Sequence, residues 1–273
     1  MANMPSSIVL VGAGKMGGAM LQGWLSLGLN GASATVIDPY PSAELNALAA
    51  RHGVRINPPE GSVSAPEVVL LAIKPQTLDA AAPDIGKLVG PDTLVVSIMA
   101  GKTIANIASR IPSARAVVRA MPNTPAAVGR GITGAAASAA VTPAQRETAA
   151  ALLSAIGRFE WVPTEDLIDA VTAVSGSGPA YVFLLAECMA KAGVAAGLPP
   201  DLAERLARAT VEGAGELMWR DATTGPAQLR KNVTSPGGTT AAALDVLMGP
   251  DGLEPLMTRA IAAAKQRGRD LSG

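Results

Sequence analysis

Short runs of branched apolar residues recur through the first half of this chain: Ile8-Val9-Leu10-Val11, Ala34-Thr35-Val36-Ile37, Val68-Val69-Leu70-Leu71-Ala72, Leu94-Val95-Val96-Ser97-Ile98 and Ala116-Val117-Val118. A strand with one face in water alternates apolar and polar side chains, whereas a strand that is apolar throughout is covered on both faces. Helical patterns separate the runs. Met16, Met20, Leu21, Trp24, Leu25 and Leu27 form one apolar stripe, and Ala43 to Arg51 and Ile104 to Arg110 read as further helices. Strands of this kind alternating with helices specify an α/β fold, a parallel sheet with helices on both sides.

Beyond Thr164 the texture changes, and from Glu165 to the end no segment reads as a strand. Leu202, Leu206, Thr210, Gly213 and Leu217 share one helical face, as do Leu253, Met257, Ile261 and Ala264. The expected division is a sheet domain over 1–163 and an all-helical region over 164–273. Hydrophobic residues make up 49% of the 273 positions but aromatics only 3%, so Ala and Gly supply much of the apolar content and close backbone packing is expected.

Composition removes several kinds of function. Lys plus Arg and Asp plus Glu each total 22, so no net charge points to nucleic acid or an anionic membrane as a partner. The single cysteine, Cys188, excludes an internal disulfide and a cysteine metal site, and its setting in Leu184 to Met189 reads as buried packing. The single histidine, His52, excludes a His cluster, so neither zinc chemistry nor a Ser-His-Asp triad is expected. The apolar, charge-free stretch Ala170 to Ala186 is interrupted by Ser175-Gly176-Ser177-Gly178-Pro179 and falls short of the roughly 20 residues of a membrane span. Met1 to Gly14 lacks the basic start of a signal peptide. A soluble, cytoplasmic protein is expected.

Gly12-Ala13-Gly14-Lys15-Met16-Gly17 follows the first strand directly and opens the first helix. In that setting G-x-G-x-x-G binds a dinucleotide. Gly12 permits the tight turn, Gly14 lets the backbone approach a pyrophosphate, Gly17 lets helix and strand pack closely, and the helix N-terminus faces the phosphates. Asp38 ends the second strand, where a carboxylate accepts from the adenosine ribose 2′-hydroxyl and repels a 2′-phosphate. No Arg follows in Pro39-Tyr40-Pro41-Ser42, so the lean is toward NADH over NADPH. Asp38-Pro39 also reads as the start of a turn.

Ala72-Ile73-Lys74-Pro75 leaves the next strand at the edge where α/β sheets bind ligands. Lys74 there either lines the cofactor cleft or is simply solvated. Arg119 to Ala126 occupies the same edge, with Asn123 and Thr124 held between Pro122 and Pro125 in a rigid, ligand-facing turn. In the helical region, Ser175 to Tyr181 begins a long helix with small residues. Thr234-Ser235-Pro236-Gly237-Gly238-Thr239-Thr240 precedes the helix Ala241 to Leu247 and reads either as an anion nest suited to a small carboxylate or as a capping loop.

Taken together, Gly12 to Gly17, Ala72 to Pro75, Arg119 to Ala126, Ser175 to Tyr181 and Leu229 to Thr240 resemble the pyrroline-5-carboxylate reductase family, in the same order and over nearly the whole chain. The resemblance implies a Rossmann domain followed by a helical dimerisation domain. It implies reduction of 1-pyrroline-5-carboxylate to L-proline by NAD(P)H, the last step of proline biosynthesis, in an active site shared by two subunits of a homodimer or larger oligomer. It matches Asn57 to an asparagine near the adenosine ribose and Thr240 to the hydroxyl residue near the substrate ring nitrogen. Asp38 departs from the many members whose residue there is friendlier to NADP.

What the chain lacks bears on mechanism. A ketone reductase needs a Tyr, Lys or His to protonate a developing alkoxide. Neither Tyr40 nor Tyr181 has a lysine in Tyr-x-x-x-Lys spacing, and Lys191 lies deep in a helix. A cyclic imine is readily protonated and accepts hydride without charge building on oxygen, so positioning the reacting carbons within about 3–3.5 Å carries most of the acceleration. The expected assignment is substrate carboxylate on Ser235, Gly237, Gly238 and Thr239, ring nitrogen on Thr240, and cofactor on Gly12 to Gly17, Asp38, Asn57, Ala72, Lys74, Pro75, Met121, Asn123 and Thr124. A related imine or 3-hydroxy acid reductase and a non-catalytic dinucleotide sensor are the alternatives. The second would not need the anion nest.

Overall fold

The computed structural model describes residues 4–272, so the first three residues of the stretch in which no signal peptide is expected lie outside the described residues. Two compact units make up the chain. One runs through Gly176 and includes the chain from Ala264 onward, and the other is Ser177–Ala263.

The first unit is built on an eight-stranded sheet. Its strands are β1 (Ile8–Val11), β2 (Ala34–Ile37), β3 (Arg55–Ile56), β4 (Val68–Leu71), β5 (Leu94–Ser97), β6 (Ala116–Met121), β7 (Gly131–Ala137) and β8 (Gly157–Trp161). They lie in the order β3-β2-β1-β4-β5-β6-β7-β8. The first six are parallel, joined by α1 (Lys15–Ser26), α2 (Ala43–His52), α3 (Leu78–Leu88) and α4 (Ile104–Arg110), and α5 (Pro143–Ser154) links β7 to β8.

Two separate cores explain why the strands are apolar throughout. Ile8, Leu10, Val36, Val68, Leu70, Val96 and Val118 point to one face, where Met20, Leu21 and Trp24 of α1 and Leu152 and Leu153 of α5 cover them. The intervening Val9, Val11, Val69, Leu71, Val95 and Val117 point to the other, against Leu78 and Ile85 of α3 and Ile107 of α4. Alternate residues of a strand face opposite ways, so a sheet covered on both sides must be apolar at every position. Buried Trp24 places its indole N–H on the Leu152 carbonyl at 2.8 Å, which ties α1 to α5.

The sheet departs from the all-parallel expectation in its last two strands. β7 runs antiparallel to β6, and β8 then runs parallel to β7. Neither strand announced itself. β7 is Gly-Ile-Thr-Gly-Ala-Ala-Ala, poor in the residues that favour strands. β8 is a short edge strand with charged Arg158 and Glu160 between Gly157, Phe159 and Trp161. The β7 glycine has a packing reason, since a Cβ at Gly134 would stand 2.7 Å from the Val171 side chain.

The sheet ends at Trp161, yet the first unit continues past the break expected near Pro163. A 3-10 turn at Glu165–Leu167, helix α6 (Ile168–Val171) and a π-helical turn at Thr172–Gly176 stay with it because Ile168, Asp169 and Ala173 are buried there.

The second unit is helical: α7 (Gly178–Ala195), α8 (Pro200–Arg220), α9 (Pro226–Asn232), α10 (Thr239–Leu247) and the opening turns of α11 (Leu253–Ser272). α7 and α8 approach closely through small residues, since a Cβ on Gly193 would lie 3.2 Å from that of Ala203. Among the described residues of this unit only Ala203 and Ala207 are buried hydrophobics. Cys188 corrects an expectation, for it is exposed on α7 rather than packed inside. So does the interrupting role given to Ser175–Pro179. The π turn absorbs the small residues, and the helical run Glu165–Ala195 is long and apolar enough by length and composition to cross a membrane, with 11% of its most apolar window buried.

Candidate functional site

The strand order reverses direction between β1 and β4, and the carboxyl ends of the parallel strands converge on that switch. Open α/β sheets bind ligands there. Gly12, Asp38, Ala72, Ile98 and Pro122 each directly follow one of these strands, so the expected site residues of the first unit share one edge.

The glycine loop has a geometric reason at each of its three glycines. Gly12 has φ +87°, and a Cβ on it would stand 2.8 Å from the Ala72 carbonyl oxygen. A Cβ on Gly17 would stand 2.3 Å from the Gly12 carbonyl oxygen and 3.2 Å from the Ala72 Cβ. Nothing lies within 4 Å of where a Gly14 Cβ would be. Two glycines therefore seat α1 against the strands, and the middle one leaves open space above the backbone. Ala13 and Met16 are half-buried, whereas Gly14 and Lys15 are exposed.

The start of α1 is left without a cap. Its N-cap is Gly14, no side chain caps it, and its first turn carries no acidic residue. The first intrahelical bond runs from Gly18 N–H to the Gly14 carbonyl at 2.8 Å, so the amides of Lys15, Met16 and Gly17 have no intrahelical acceptor. By contrast Ser42 caps α2, and capping boxes at Thr103 and Thr142 close α4 and α5. Open amides under an empty approach, at the positive end of a helix, fit a pyrophosphate.

A cleft of about 580 Å³ opens beside this loop, between α1 and α2, lined by Ala13, Gly14, Lys15, Ser42, Glu44 and Arg51 among others. The Glu44 carboxyl is held below its usual range by its own backbone N–H and by the Ser42 hydroxyl. Arg51 is a cation that no inspection of the short segment after Asp38 could reveal, because it reaches the cleft from the far end of α2.

Asp38 is tightly held. Its carboxylate accepts the Ala13 N–H of the glycine loop on Oδ2 at 2.7 Å and the Tyr40 N–H on Oδ1 at 2.8 Å. Its main chain pairs with the Asn57 side chain. Asp38 N–H donates to Asn57 Oδ1 at 2.9 Å, and Asn57 Nδ2 donates to the Asp38 carbonyl at 2.7 Å. The Asp-Pro segment thus makes a turn and still presents its carboxylate at the strand end. The two readings of Asp38 are compatible.

On the other side of the switch, Ala72 N–H donates to the Val11 carbonyl at 2.8 Å, Lys74 is exposed, and Pro75 starts a 3-10 turn. Met121, the last residue of β6, is half-buried, and in the loop that follows Asn123 is buried and Thr124 exposed. Asn123 Oδ1 accepts the Ile132 N–H at 2.9 Å, and its Nδ2 donates to the Ser175 carbonyl at 3.2 Å, which ties β7 to the π turn. Arg119, one of the few charged side chains buried in the sheet, pairs with Glu165 at 3.3 Å and Asp169 at 3.2 Å, and Glu165 also accepts the first amide of α4 at 2.7 Å. The sequence reading places Arg119 only at the head of the ligand-facing loop and pairs it with neither acid. The available signal was a lone arginine inside an otherwise apolar strand, which demands buried counter-charge.

Ser235, Gly237, Gly238, Thr239 and Thr240 belong to the second unit. Gly238 N–H closes a turn on the Ser235 carbonyl at 3.1 Å, with Gly237 at φ +69°, and Gly238 is the N-cap of α10. No side chain caps this helix, so the capping-loop reading of the serine and threonines does not hold. Ala242 N–H to Gly238 carbonyl, 3.2 Å, is the first intrahelical bond, which leaves the amides of Thr239, Thr240 and Ala241 without an intrahelical acceptor. Ser235 and Thr239 are exposed and Thr240 is half-buried.

Apolar side chains stand exposed over the same unit, among them Phe183 at 70%, Leu184 at 56% and Val246 at 77%. A helix apolar on nearly all sides requires cover, and two buried alanines do not supply it.

Residues 165–271 match the family model described as pyrroline-5-carboxylate reductase dimerisation, and residues 7–101 match that of NADP oxidoreductase, coenzyme F420-dependent. The pyrroline-5-carboxylate reductase of Pseudomonas aeruginosa is 40% identical over 267 residues, covering 97% of this chain and 96% of that protein. The chain belongs to the pyrroline-5-carboxylate reductase family. Among solved structures, a pyrroline-5-carboxylate reductase from Coxiella burnetii superposes with a TM-score of 0.90 at 34% identity, covering 98% of this chain and 99% of that one. Pyrroline carboxylate reductase of Plasmodium falciparum, solved with NADP bound, gives 0.79 at 25% identity over the full length of both chains. Membership makes this an oxidoreductase that uses a nicotinamide dinucleotide and self-associates, as the family of the helical region and its uncovered apolar faces both require.

Proposed function

We propose that the sheet edge at Gly12–Gly17 and the helix start at Gly238–Thr240 are the nucleotide-binding and substrate-binding parts of a reductase for 1-pyrroline-5-carboxylate. The observation that carries this is that α1 and α10 each start at a glycine N-cap with no capping side chain and no proline in the first turn, which leaves their first amides open; α3 and α6 to α9 also lack a side-chain cap, but α7, α8 and α9 carry a first-turn proline. The start of α1 suits a pyrophosphate and that of α10 a small carboxylate.

In this reading the amides of Lys15, Met16 and Gly17 hold the phosphates, with Ala72, Lys74, Pro75, Met121 and Thr124 bordering the nucleotide along the sheet edge. The reduced nicotinamide supplies the hydride when bound. The hydroxyls of Ser235 and Thr239 and the amides of Gly237 and Thr239 hold the substrate carboxylate, and Gly238 shapes the turn, its N–H being spent on the Ser235 carbonyl. The Thr240 hydroxyl orients the ring nitrogen. Asn123, held in place by its hydrogen bonds with Ile132 and Ser175, borders the nicotinamide with Thr124. No side-chain acid is required, because an iminium carbon accepts hydride without developing an alkoxide. The product is L-proline, and the chain acts as a soluble enzyme whose working assembly is a homodimer or an oligomer built from it.

Absorbance loss of NADH and NADPH, followed with pyrroline-5-carboxylate, with a 3-oxo acid and with neither, tests the activity. Turnover is expected with the cyclic imine alone. Turnover with only the oxo acid would overturn the substrate, and none with either would leave a nucleotide sensor.

The preferred nucleotide is NADH, on the ground that Asp38 places a carboxylate where a 2′-phosphate would stand. Lys15 and Arg51 in the neighbouring cleft favour a second reading, NADPH, with these cations offsetting the carboxylate. Asp38→Ser separates the two. If Asp38 governs the choice, the ratio of kcat/KM for NADH to that for NADPH falls at least about tenfold in the variant, as expected when a charge-assisted hydrogen bond is lost and a repulsion removed.

A further inference from the structure

We infer that Gly176 is a positioning residue for the nicotinamide end of the nucleotide, because the room it leaves seats the Met121 side chain on the π turn and keeps it off the sheet edge. The inference rests on the reading of that edge as the nucleotide site. Arg119 and Met121 lie two apart on β6 and so point to the same face. The segment from Asp169 to Gly176 crosses that face in step with them. Asp169 pairs with Arg119 at 3.2 Å, Val171 covers Gly134, the β7 residue opposite Met121, and Gly176 meets Met121 itself. A Cβ on Gly176 would stand 2.8 Å from Met121 Cε, closer than real side chains approach. Gly176 lies outside the left-handed region, so glycine is required here by the methionine and not by the backbone.

Two hydroxyls and a proline put the turn in place. Thr172 and Ser175 each bond back to the carbonyl four residues earlier, Ile168 at 2.8 Å and Val171 at 2.9 Å, a pattern that bends helices. In a continuous α-helix the Ser175 carbonyl would accept the N–H of the residue four positions on, but that residue is Pro179, which has none. Asn123 takes the carbonyl instead, at 3.2 Å. The turn thus grips the end of β6 twice, Asn123 by a hydrogen bond and Met121 by packing. Bulk added at 176 leaves Met121 one way to go. Toward β7, Val171 already fills the space over Gly134. Toward β5, β6 runs two residues beyond its last pair, Ser97 with Arg119, so the open side of half-buried Met121 is the carboxyl edge. A methionine displaced there crowds the nicotinamide and leaves the phosphates and the adenosine ribose untouched.

Gly176→Ala tests this, since alanine suits a helical turn and adds only the carbon in question. Titration calorimetry is run with NADH, with NADPH and with ADP-ribose, which carries the phosphates and both riboses but no nicotinamide. The proteins are the parent, Gly176→Ala, Met121→Ala, the double variant Gly176→Ala/Met121→Ala, and Gly14→Val. Gly176→Ala is expected to weaken the tighter-binding dinucleotide about tenfold, in the range of a modest overpacking cost, with ADP-ribose affinity unchanged. The double variant is expected to bind as Met121→Ala does, because the collision is gone. An equal loss for ADP-ribose, or a loss that persists in the Met121→Ala background, overturns the inference, since the added carbon then acts on the fold or through another residue. Unchanged affinity in Gly176→Ala also overturns it. Gly14→Val keeps the two failures apart. If it lowers affinity for all three ligands while Gly176→Ala alters none, the nucleotide reading stands and the inference alone falls; if neither variant alters any, both fall.

Discussion

Replacing Gly14 with valine is expected to weaken nucleotide binding by about a hundredfold or more, near 2.7 kcal/mol, while the protein folds normally. The asymmetry between the loop's glycines is the reason. At Gly17 a Cβ would stand 2.3 Å from a carbonyl oxygen, so a side chain there damages the fold itself. At Gly14 nothing lies within 4 Å of the new Cβ, and φ −65°, ψ −165° is a conformation that valine adopts without strain. The added methyls fill only the space through which a pyrophosphate reaches the amides of Lys15, Met16 and Gly17. Titration calorimetry with NADH and with NADPH, beside a thermal melt, checks both halves of the expectation. An affinity within a few-fold of the parent would mean that the phosphates do not lie over this loop.

Thr240→Ala is expected to do the reverse, lowering kcat about a hundredfold with nucleotide affinity intact, in the range of losing one preorganised hydrogen-bonding group at a reacting centre. Alanine favours helix more than threonine, so α10 is not weakened at its second position. The loss would therefore report the hydroxyl and not the scaffold. Thr240→Ser, which restores the hydroxyl, should recover most of kcat. A fall in nucleotide affinity with kcat preserved would move Thr240 out of the substrate part of the site.

Much of the sheet edge that forms the candidate nucleotide site is legible because its signals are local. A glycine motif between a strand and a helix, an acidic residue at the next strand end and two proline-bounded loops each carry their meaning within a few positions. The apolar strands were equally readable, since burial on both faces forbids alternation. What escaped depended on partners distant in sequence. β7 is written in glycine and alanine because Val171 and the Asn123 loop crowd it, and no window of residues around 134 contains that information. Arg119 was visible, but Glu165 and Asp169 lie more than forty positions away and look like ordinary surface acids. Cys188 and the apolar run around it were read as interior for a sound reason, that such residues are usually buried. In one chain they are not, because their cover is not part of that chain.

That last feature reaches beyond the architecture. A helical half whose only sequestered apolar side chains are Ala203 and Ala207 has almost no interior with which to offset the entropy of ordering five helices. Its solidity must be borrowed from a sister molecule, so folding and pairing become one event governed by mass action. Heat resistance in such a protein is a property of how much of it is present, and dilution acts as a denaturant.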